Sequence, residues 1–221
     1  MSSLARLGTA TLLGVATWVA AGSALAQEGN ALGSKSSFVL SLEHLGGYSN
    51  QRLEFEGSDA VTNQQFGLFT PFLGPFGSHA RLGLHYFVAP PISIGGLLSY
   101  SDNDYFGTFL MVGARVGAAL PVSGSTSIWL RGGIAYARTS LDFGGTTQSY
   151  TAILPGGEVL LAFKPLDHFG LLLGGMFEAS VSGTAELERD PCSSTDPSPC
   201  TQERDFEQRE LGLTFGAFID F

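Results

Sequence analysis

The feature that most constrains the fold of this chain is an alternation of residue types at its C-terminal end. From residue 211 onward every odd position is apolar, and the even positions are small or polar except Phe218. A period of two residues indicates a β-strand with one apolar and one polar face. The chain ends on the apolar face with Phe221, and an exposed apolar stripe of this kind would make a soluble strand prone to aggregation. We therefore predict that the apolar face contacts something other than water.

Residues 1–26 have the pattern of a secretory signal peptide. A single charged residue, Arg6, precedes an apolar run that ends at Leu25, and residues 24–26 read Ala-Leu-Ala, a small-x-small cleavage site. An uncleaved N-terminal anchor helix is the alternative, but the cleavage site is well formed. We predict export of the chain, cleavage near Ala26 and one mature domain over residues 27–221.

The composition points to a membrane protein built from strands. Only 14% of the residues are charged, against about a quarter in soluble domains, and the chain contains 30 Gly and 17 Phe. After the leader, no apolar run approaches the ~20 residues that a membrane helix needs. Alternation hides apolar content in this way when strands cross a membrane. The net charge of −9 argues against nucleic acid as a partner, because nucleic acid requires a basic surface.

The alternation continues through eight segments, so the fold class we predict is all-β, an eight-stranded antiparallel up-and-down transmembrane barrel. Short turns after the second, fourth and sixth strands face mostly longer polar connections at the other end, as in outer-membrane barrels. We expect extracellular loops near residues 49–64, 101–104, 139–149 and 184–206. The second strand is interrupted by Pro and Gly between an upper part at 65–72 and a lower part at 81–88. The predicted strands are 37–48, 65–88, 92–100, 105–120, 126–138, 150–163, 168–183 and 209–221.

Eight strands with one apolar face also describe a lipocalin, in which the apolar face points inward around a ligand. The second face decides between the two folds. It carries few charges, mostly arginine and glutamate separated by Gly, Ser and Ala, and the mature chain has only two lysines, Lys35 and Lys164. Such residues suit a crowded lumen, where buried charges must pair. We predict a lumen network that fills the barrel, made of Glu43, Arg81, His85, Arg115, Arg131, Glu158 and Glu178.

The C-terminal strand resembles the terminal signal of bacterial outer-membrane barrels in four positions: Thr214, Gly216, Ile219 and Phe221. With the strand count, it makes the chain similar to the small eight-stranded outer-membrane proteins, the group of the OmpA transmembrane domain, OmpX and OmpW. The resemblance implies a location in the outer membrane of a Gram-negative bacterium and assembly through the barrel-assembly machinery. It also implies contact with membrane lipid and lipopolysaccharide, and a monomeric state. No peptidoglycan-binding domain is expected after Phe221.

Two cysteines, Cys192 and Cys200, enclose a short polar stretch in the last predicted loop. A close and even pair in an exported chain predicts a disulfide that stiffens the loop. A metal site is disfavoured because no His lies nearby. We predict no metal and no cofactor for this chain.

Three functions agree with this architecture. The first is a structural or surface-interaction role through the extracellular loops, chiefly residues 184–206, and the second is a narrow channel for small solutes. The third is a lipid-modifying enzyme, for which His44, on the outward phase beside Tyr48, is the candidate base. His44 is more simply explained as part of the aromatic interface belt, with Tyr48, Tyr100 and Tyr136. We therefore predict the first function and no enzymatic activity.

Overall fold

The computed structural model describes residues 31–34, 36–68, 79–103, 107–142, 146–189 and 200–221. The residues that it describes include ten strands. These are β1 (Phe38–Phe55), β2 (Val61–Leu68), β3 (Arg81–Ala89), β4 (Ile92–Asn103), β5 (Gly107–Ser123), β6 (Thr126–Asp142), β7 (Thr146–Phe163), β8 (Phe169–Ala179), β9 (Ser182–Arg189) and β10 (Thr201–Asp220).

The strands form one closed antiparallel ring of eight positions. Around the ring the pairing order is β1, β3, β4, β5, β6, β7, β8 and β10, and β1 closes the ring by pairing with β10 from Val39↔Asp220 to Phe55↔Phe206. Two of the eight positions are each made of two strands. β2 and β3 pair with successive halves of β1, and β8 and β9 pair with successive parts of β7 and β10. The predicted eight-stranded up-and-down barrel is confirmed. The predicted interruption of its second strand lies outside the described residues.

The two ends of the barrel differ. The end that carries the connections β3–β4, β5–β6 and β7–β8, together with Phe221, is called the turn end, and the opposite end is called the loop end. At the loop end the strands are longer than predicted. β1 continues to Phe55, β6 to Asp142, and β9 and β10 pair from Thr184↔Asp205 to Glu188↔Thr201.

The predicted loops at 49–64, 101–104, 139–149 and 184–206 are therefore wrong in extent, because much of each is paired strand. The physical reason is that the outer face of the strands above the membrane contacts water instead of lipid, while the inner face stays packed. The apolar alternation then disappears, while the backbone hydrogen bonds of the ladder remain. A polar, non-alternating sequence at this end of the barrel is thus not a sign of irregular structure.

An apolar belt covers the outside of the ring between the two ends. Its members alternate with lumen-facing residues and lie on every strand position of the ring. Exposed examples are Phe38, Leu84, Ile94, Leu98, Val112, Val116, Ile134, Val159, Leu161, Leu173, Phe177, Leu211, Leu213 and Phe221. A belt of this size on a closed barrel faces lipid, because closure satisfies the backbone groups that a bilayer cannot. The protein is a transmembrane β-barrel.

Among the described residues, no helix has the length and apolar character that crossing a membrane requires.

The lumen is filled by three layers of side chains. An apolar layer at the turn end contains Leu32, Val39, Phe87, Ala119, Trp129, Leu160, Ala162, Leu172 and Phe218. A second apolar layer at the loop end contains Leu53, Leu97, Phe109, Met111, Ala135, Ala137, Ala152, Leu154 and Phe206. Buried charged side chains lie between these two layers.

The segment before β1 contributes to the turn-end layer. Leu32 is almost completely buried, and the Ser127 hydroxyl donates a hydrogen bond of 2.8 Å to its carbonyl oxygen. Gly33 has a φ of 81°, a conformation that favours glycine. A Cβ atom on Gly33 would lie 2.7 Å from the Cβ of Ala119, so only glycine fits there.

Candidate functional site

The seven residues predicted for the lumen network lie on six strands and point into the ring. β1 supplies Glu43, β3 supplies Arg81 and His85, β5 supplies Arg115, and β6 to β8 supply Arg131, Glu158 and Glu178. Each is at most 7% exposed. The structure brings six of them together as ion pairs between the two apolar layers.

Four of these residues form a cyclic cluster in which two arginines share two carboxylates. Arg131 donates a hydrogen bond to Glu43, and its Nη2 forms an ion pair with a Glu158 oxygen 2.5 Å away. Arg115 lies 2.5 Å from a Glu43 oxygen and 3.3 Å from a Glu158 oxygen. Because β1 lies across the ring from β5 and β6, the contacts of Glu43 with Arg115 and Arg131 cross the lumen. Arg131 and Glu158 lie opposite each other on the neighbouring strands β6 and β7. A buried charge without its partner is costly, so the cluster stabilises the barrel only while it is complete.

Arg81 and Glu178 form a second ion pair with two parallel hydrogen bonds, one of them 2.8 Å long. Such bidentate pairs combine a fixed geometry with charge-assisted bonds. Glu210, which is not among the predicted lumen residues, is also buried in the lumen and accepts a 2.6 Å hydrogen bond from Ser49. Glu210 has an even number, and the even-numbered residues in this part of β10 face the lumen, so the alternation alone predicts its position.

His85 contacts the apolar layer instead of the carboxylates. Its ring lies edge-on to Trp129 with centroids 4.8 Å apart, and its Nδ1 is 3.5 Å from the Ser93 hydroxyl. The Arg131 guanidinium lies 4.5 Å from the centre of the same Trp129 ring, a cation–π contact. Trp129 therefore joins the charged cluster to the turn-end layer.

His44 is buried in the lumen, so its predicted outward position is wrong. The register of β1 shifts between Leu42 and Gly46, and His44 has a φ of 54° within this bulge. A bulge adds residues to one strand only and re-aims the side chain. The His44 Nε2 lies 3.1 Å from a Glu158 oxygen, which places the ring far from lipid. This position removes His44 as a base at the membrane rim.

Ligand atoms of Glu43, His44 and Glu158 lie within 4.8 Å of one another, the spacing of a metal site. Both carboxylates, however, already contact Arg115 and Arg131. A divalent cation there would be repelled by two guanidinium groups and would have to displace them. The cluster is suited to ion pairing and unsuited to a metal.

The four positions of the C-terminal motif occupy both faces of β10. Thr214 and Gly216 point into the lumen, and Ile219 and Phe221 point outward. A Cβ atom on Gly216 would lie 2.5 Å from the carbonyl oxygen of Leu42, where the bulge of β1 begins. Phe221 is paired with Phe38 by two backbone hydrogen bonds of 2.9 and 3.2 Å, and it is 70% exposed. The terminal residue thus lies at the seam that closes the ring.

Of the two cysteines, Cys192 lies outside the described residues, so the disulfide with Cys200 stays a prediction. The signal peptide and its cleavage site also stay predictions, because both precede Ala31, the first residue that the structure describes.

The cavities at the two levels of the barrel differ greatly in size. Among the charged lumen residues the cavity is about 20 Å³, room for about one water. At the loop end an open cleft of about 930 Å³ lies between the β1–β2 hairpin, the junction of β8 with β9, and β10. Phe55 and Phe206 lie in its wall, and their rings are 5.9 Å apart. Five carboxylates line the cleft, those of Glu54, Glu56, Asp59, Asp205 and Glu207, and the described lining residues include no Lys or Arg.

No protein-family model matches this sequence, and a comparison with characterised proteins finds no match. Similar solved structures include Ail, the attachment invasion locus protein of Yersinia pestis, with 16% identity over 85% of this chain and 98% of that one, and a TM-score of 0.39. A complex of Ail with the heparin analogue sucrose octasulfate has 15% identity over 85% of this chain and 99% of that one, and a TM-score of 0.41. The outer membrane protease OmpT from Escherichia coli has 13% identity over 85% of this chain and 97% of that one, and a TM-score of 0.43. The assignment of this chain as an eight-stranded antiparallel barrel follows from its own strand pairings.

Proposed function

We propose that this protein is a closed barrel of the Gram-negative outer membrane that works by binding partners at its loop end. The observation that carries the proposal is the contrast between a filled lumen and an open cleft. Three stacked layers leave about 20 Å³ among the lumen charges, whereas the loop end holds about 930 Å³ of accessible space. A binding function needs such a concave, accessible surface.

The same contrast argues against the narrow channel. A conducting path would have to pass both apolar layers and the ion-paired cluster of Glu43, Arg115, Arg131 and Glu158. Eight-stranded barrels have an interior that side chains just fill. A lipid-modifying activity loses its candidate base with His44 in the lumen, so we do not propose an enzyme.

We propose a positively charged partner for the cleft. Of the five carboxylates, Glu54 and Glu207 pair with Arg52 and Arg209 next to the cleft. Glu56, Asp59 and Asp205 give the cleft a negative potential, and low-dielectric walls focus such a potential. Phe55 and Phe206 add apolar area, and aromatic faces also attract cations. A peptide segment that carries Lys or Arg between apolar residues fits this combination.

The route to the membrane forms part of the proposal. The leader at residues 1–26 would export the chain, and the terminal strand with Thr214, Gly216, Ile219 and Phe221 would present it to the barrel-assembly machinery. The termini would then lie in the periplasm and the loop end outside the cell. The folded monomer would contact lipid and lipopolysaccharide around the apolar belt.

Removing charge from the cleft should weaken the binding of a cationic peptide. The combination of Glu56→Gln, Asp59→Asn and Asp205→Asn should raise the Kd of a fluorescent oligolysine about tenfold in 0.15 M salt, about 1.4 kcal/mol. The measurement is fluorescence anisotropy with the refolded barrel in zwitterionic bilayers.

A matched variant removes three loop-end carboxylates outside the cleft, with Asp102→Asn, Asp142→Asn and Glu188→Gln. It changes the net charge equally and should change the Kd less than about threefold. Equal weakening by both variants would mean a non-specific charge effect, and the cleft would then not be the binding site.

A further inference from the structure

On the outside of the barrel, two arginines lie directly opposite each other across the seam between β1 and β10. Arg52 pairs in register with Arg209, and the next outward row pairs Glu54 with Glu207. Like charges directly opposite on one face of an antiparallel pair destabilise it. Exchanging the residues at 207 and 209 would put opposite charges across the seam in both rows. The existing arrangement is therefore the less stable of the two for the isolated barrel.

The partners within the protein do not remove this repulsion. Arg52 lies 3.3 Å from Glu54, and Arg209 lies 3.4 Å from Glu207, in each case along the same strand. All four side chains are more than half exposed. Exposed pairs of this kind contribute between zero and about 1 kcal/mol. The positive row thus remains open to an anion from outside.

The arginine row lies where the apolar belt ends. Below it on β10, the outward residues Leu211 and Leu213 are more than 60% exposed, and Phe221 marks the other edge. Arg209 is twelve residues from Phe221. At ~3.3 Å per residue and a tilt of about 40°, this separation is roughly 30 Å along the barrel axis. The apolar band of an outer-membrane barrel is about 25 Å tall, so the guanidinium groups lie at headgroup depth.

A third arginine has the same position on the other side of the ring. Arg138 on β6 is exposed and follows the outward Tyr136 by two residues, the next position on the lipid-facing side of the strand. Aromatic residues mark the interfaces of membrane barrels. Cationic side chains therefore lie just beyond the belt at two separate points of its loop-end edge.

We propose that Arg52 and Arg209 together bind a phosphate group of a phosphorylated glycolipid in the outer leaflet. A phosphate between the two guanidinium groups would turn the like-charge repulsion into two charge-assisted contacts, and the planar fork of Arg suits a phosphate well. The inference rests on the outer-membrane orientation of the proposed function. It identifies a lipid site on the barrel wall that adjoins the cleft, because Glu54 and Glu207, the ion-pair partners of the two arginines, also line the cleft.

The test compares two variants in bilayers with and without phosphate on the glycolipid. The barrel is refolded into phosphatidylcholine vesicles that contain no additive, bisphosphorylated lipid A or dephosphorylated lipid A. The temperature at which half of the protein loses its folded mobility on a gel is recorded. For the unmodified protein, bisphosphorylated lipid A should raise this midpoint by roughly 2–4 °C, and the dephosphorylated lipid should not.

Arg52→Gln combined with Arg209→Gln should abolish this rise. In phosphatidylcholine alone it should be at least as stable as the unmodified protein, because the repulsion is gone. The exchange of Glu207→Arg with Arg209→Glu, which keeps the composition, should be more stable in phosphatidylcholine and should not respond to lipid A. Arg204→Gln, an exposed arginine higher on β10, should leave the response unchanged.

An equal rise for the double Gln variant and the unmodified protein would overturn the proposal. So would a loss of stability of that variant in phosphatidylcholine alone, because the arginines would then have a structural role. Either outcome leaves the peptide-binding experiment on the cleft unaffected. The two proposals can therefore fail separately.

Discussion

Replacing Arg131 by Met should destabilise the barrel by about 3–5 kcal/mol, the cost of removing one partner from a buried ion pair. Arg131 contacts Glu43 across the lumen and Glu158 on the neighbouring strand β7, and all three side chains are buried. Without it, the two carboxylates share the single guanidinium of Arg115. Methionine fills much of the volume of the arginine side chain. The loss of stability is therefore due more to the missing charge than to a change in packing. The measurement is the urea dependence of unfolding for the refolded barrel in lipid vesicles.

Arg138→Met is the matched control, because Arg138 lies on the same strand and is exposed outside the ring. It should change stability by no more than about 0.5 kcal/mol. Adding Glu158→Gln to Arg131→Met restores the balance of one carboxylate to one guanidinium and should recover at least half of the loss. If Arg131→Met were as mild as Arg138→Met, the charged layer would contribute little to the fold.

Replacing Phe221 by Asn should greatly reduce the amount of barrel that reaches the outer membrane. The residue ends the strand that closes the ring, its backbone bonds to Phe38, and its side chain faces lipid. If the terminal strand is the signal that the assembly machinery reads, the loss should exceed the general cost of a polar residue on the lipid face. The measurement is the yield of heat-modifiable protein in outer-membrane fractions.

Phe169→Asn provides the comparison at the same height. Phe169 faces lipid on β8 and pairs in register with Ile219, one residue before the end of β10. The two variants should have similar stability after refolding in vitro, yet only Phe221→Asn should fail in cells. Similar yields of both in the outer membrane would contradict a role of the terminal residue as a signal.

Within the membrane, the sequence was sufficient to predict the fold. Alternation has a strong physical cause there, because one face of each strand contacts lipid and the other contacts the lumen. Leu82, Leu84 and Tyr86 face outward and Arg81 and His85 face inward, as predicted from the period alone. Above the belt this cause is absent, so the sequence predicts loops where the upper ends of β1, β6, β9 and β10 are paired strand.

The site shows the same limit in another form. The alternation along each strand is enough to predict that the residues of the charged cluster face the lumen. It does not predict which of them form ion pairs, because that depends on where each strand lies in the ring. His44 was misplaced because a bulge interrupts the phase of β1, and the sequence does not mark this bulge clearly. The apolar layers at the two ends of the lumen were also missed. Residues such as Trp129 and Phe218 look like exceptions to a polar face until their positions in the ring are known.

Conductance of the purified, refolded barrel in a planar bilayer tests most directly whether the lumen is closed. Folding is verified for the same sample by its heat-modifiable mobility on a gel. With both apolar layers in place and about 20 Å³ free among the charges, the protein should show no current steps above the bilayer baseline. Steady, ion-selective steps would contradict the closed lumen, and the function would then have to be sought in the path past Arg81, Arg115 and Arg131.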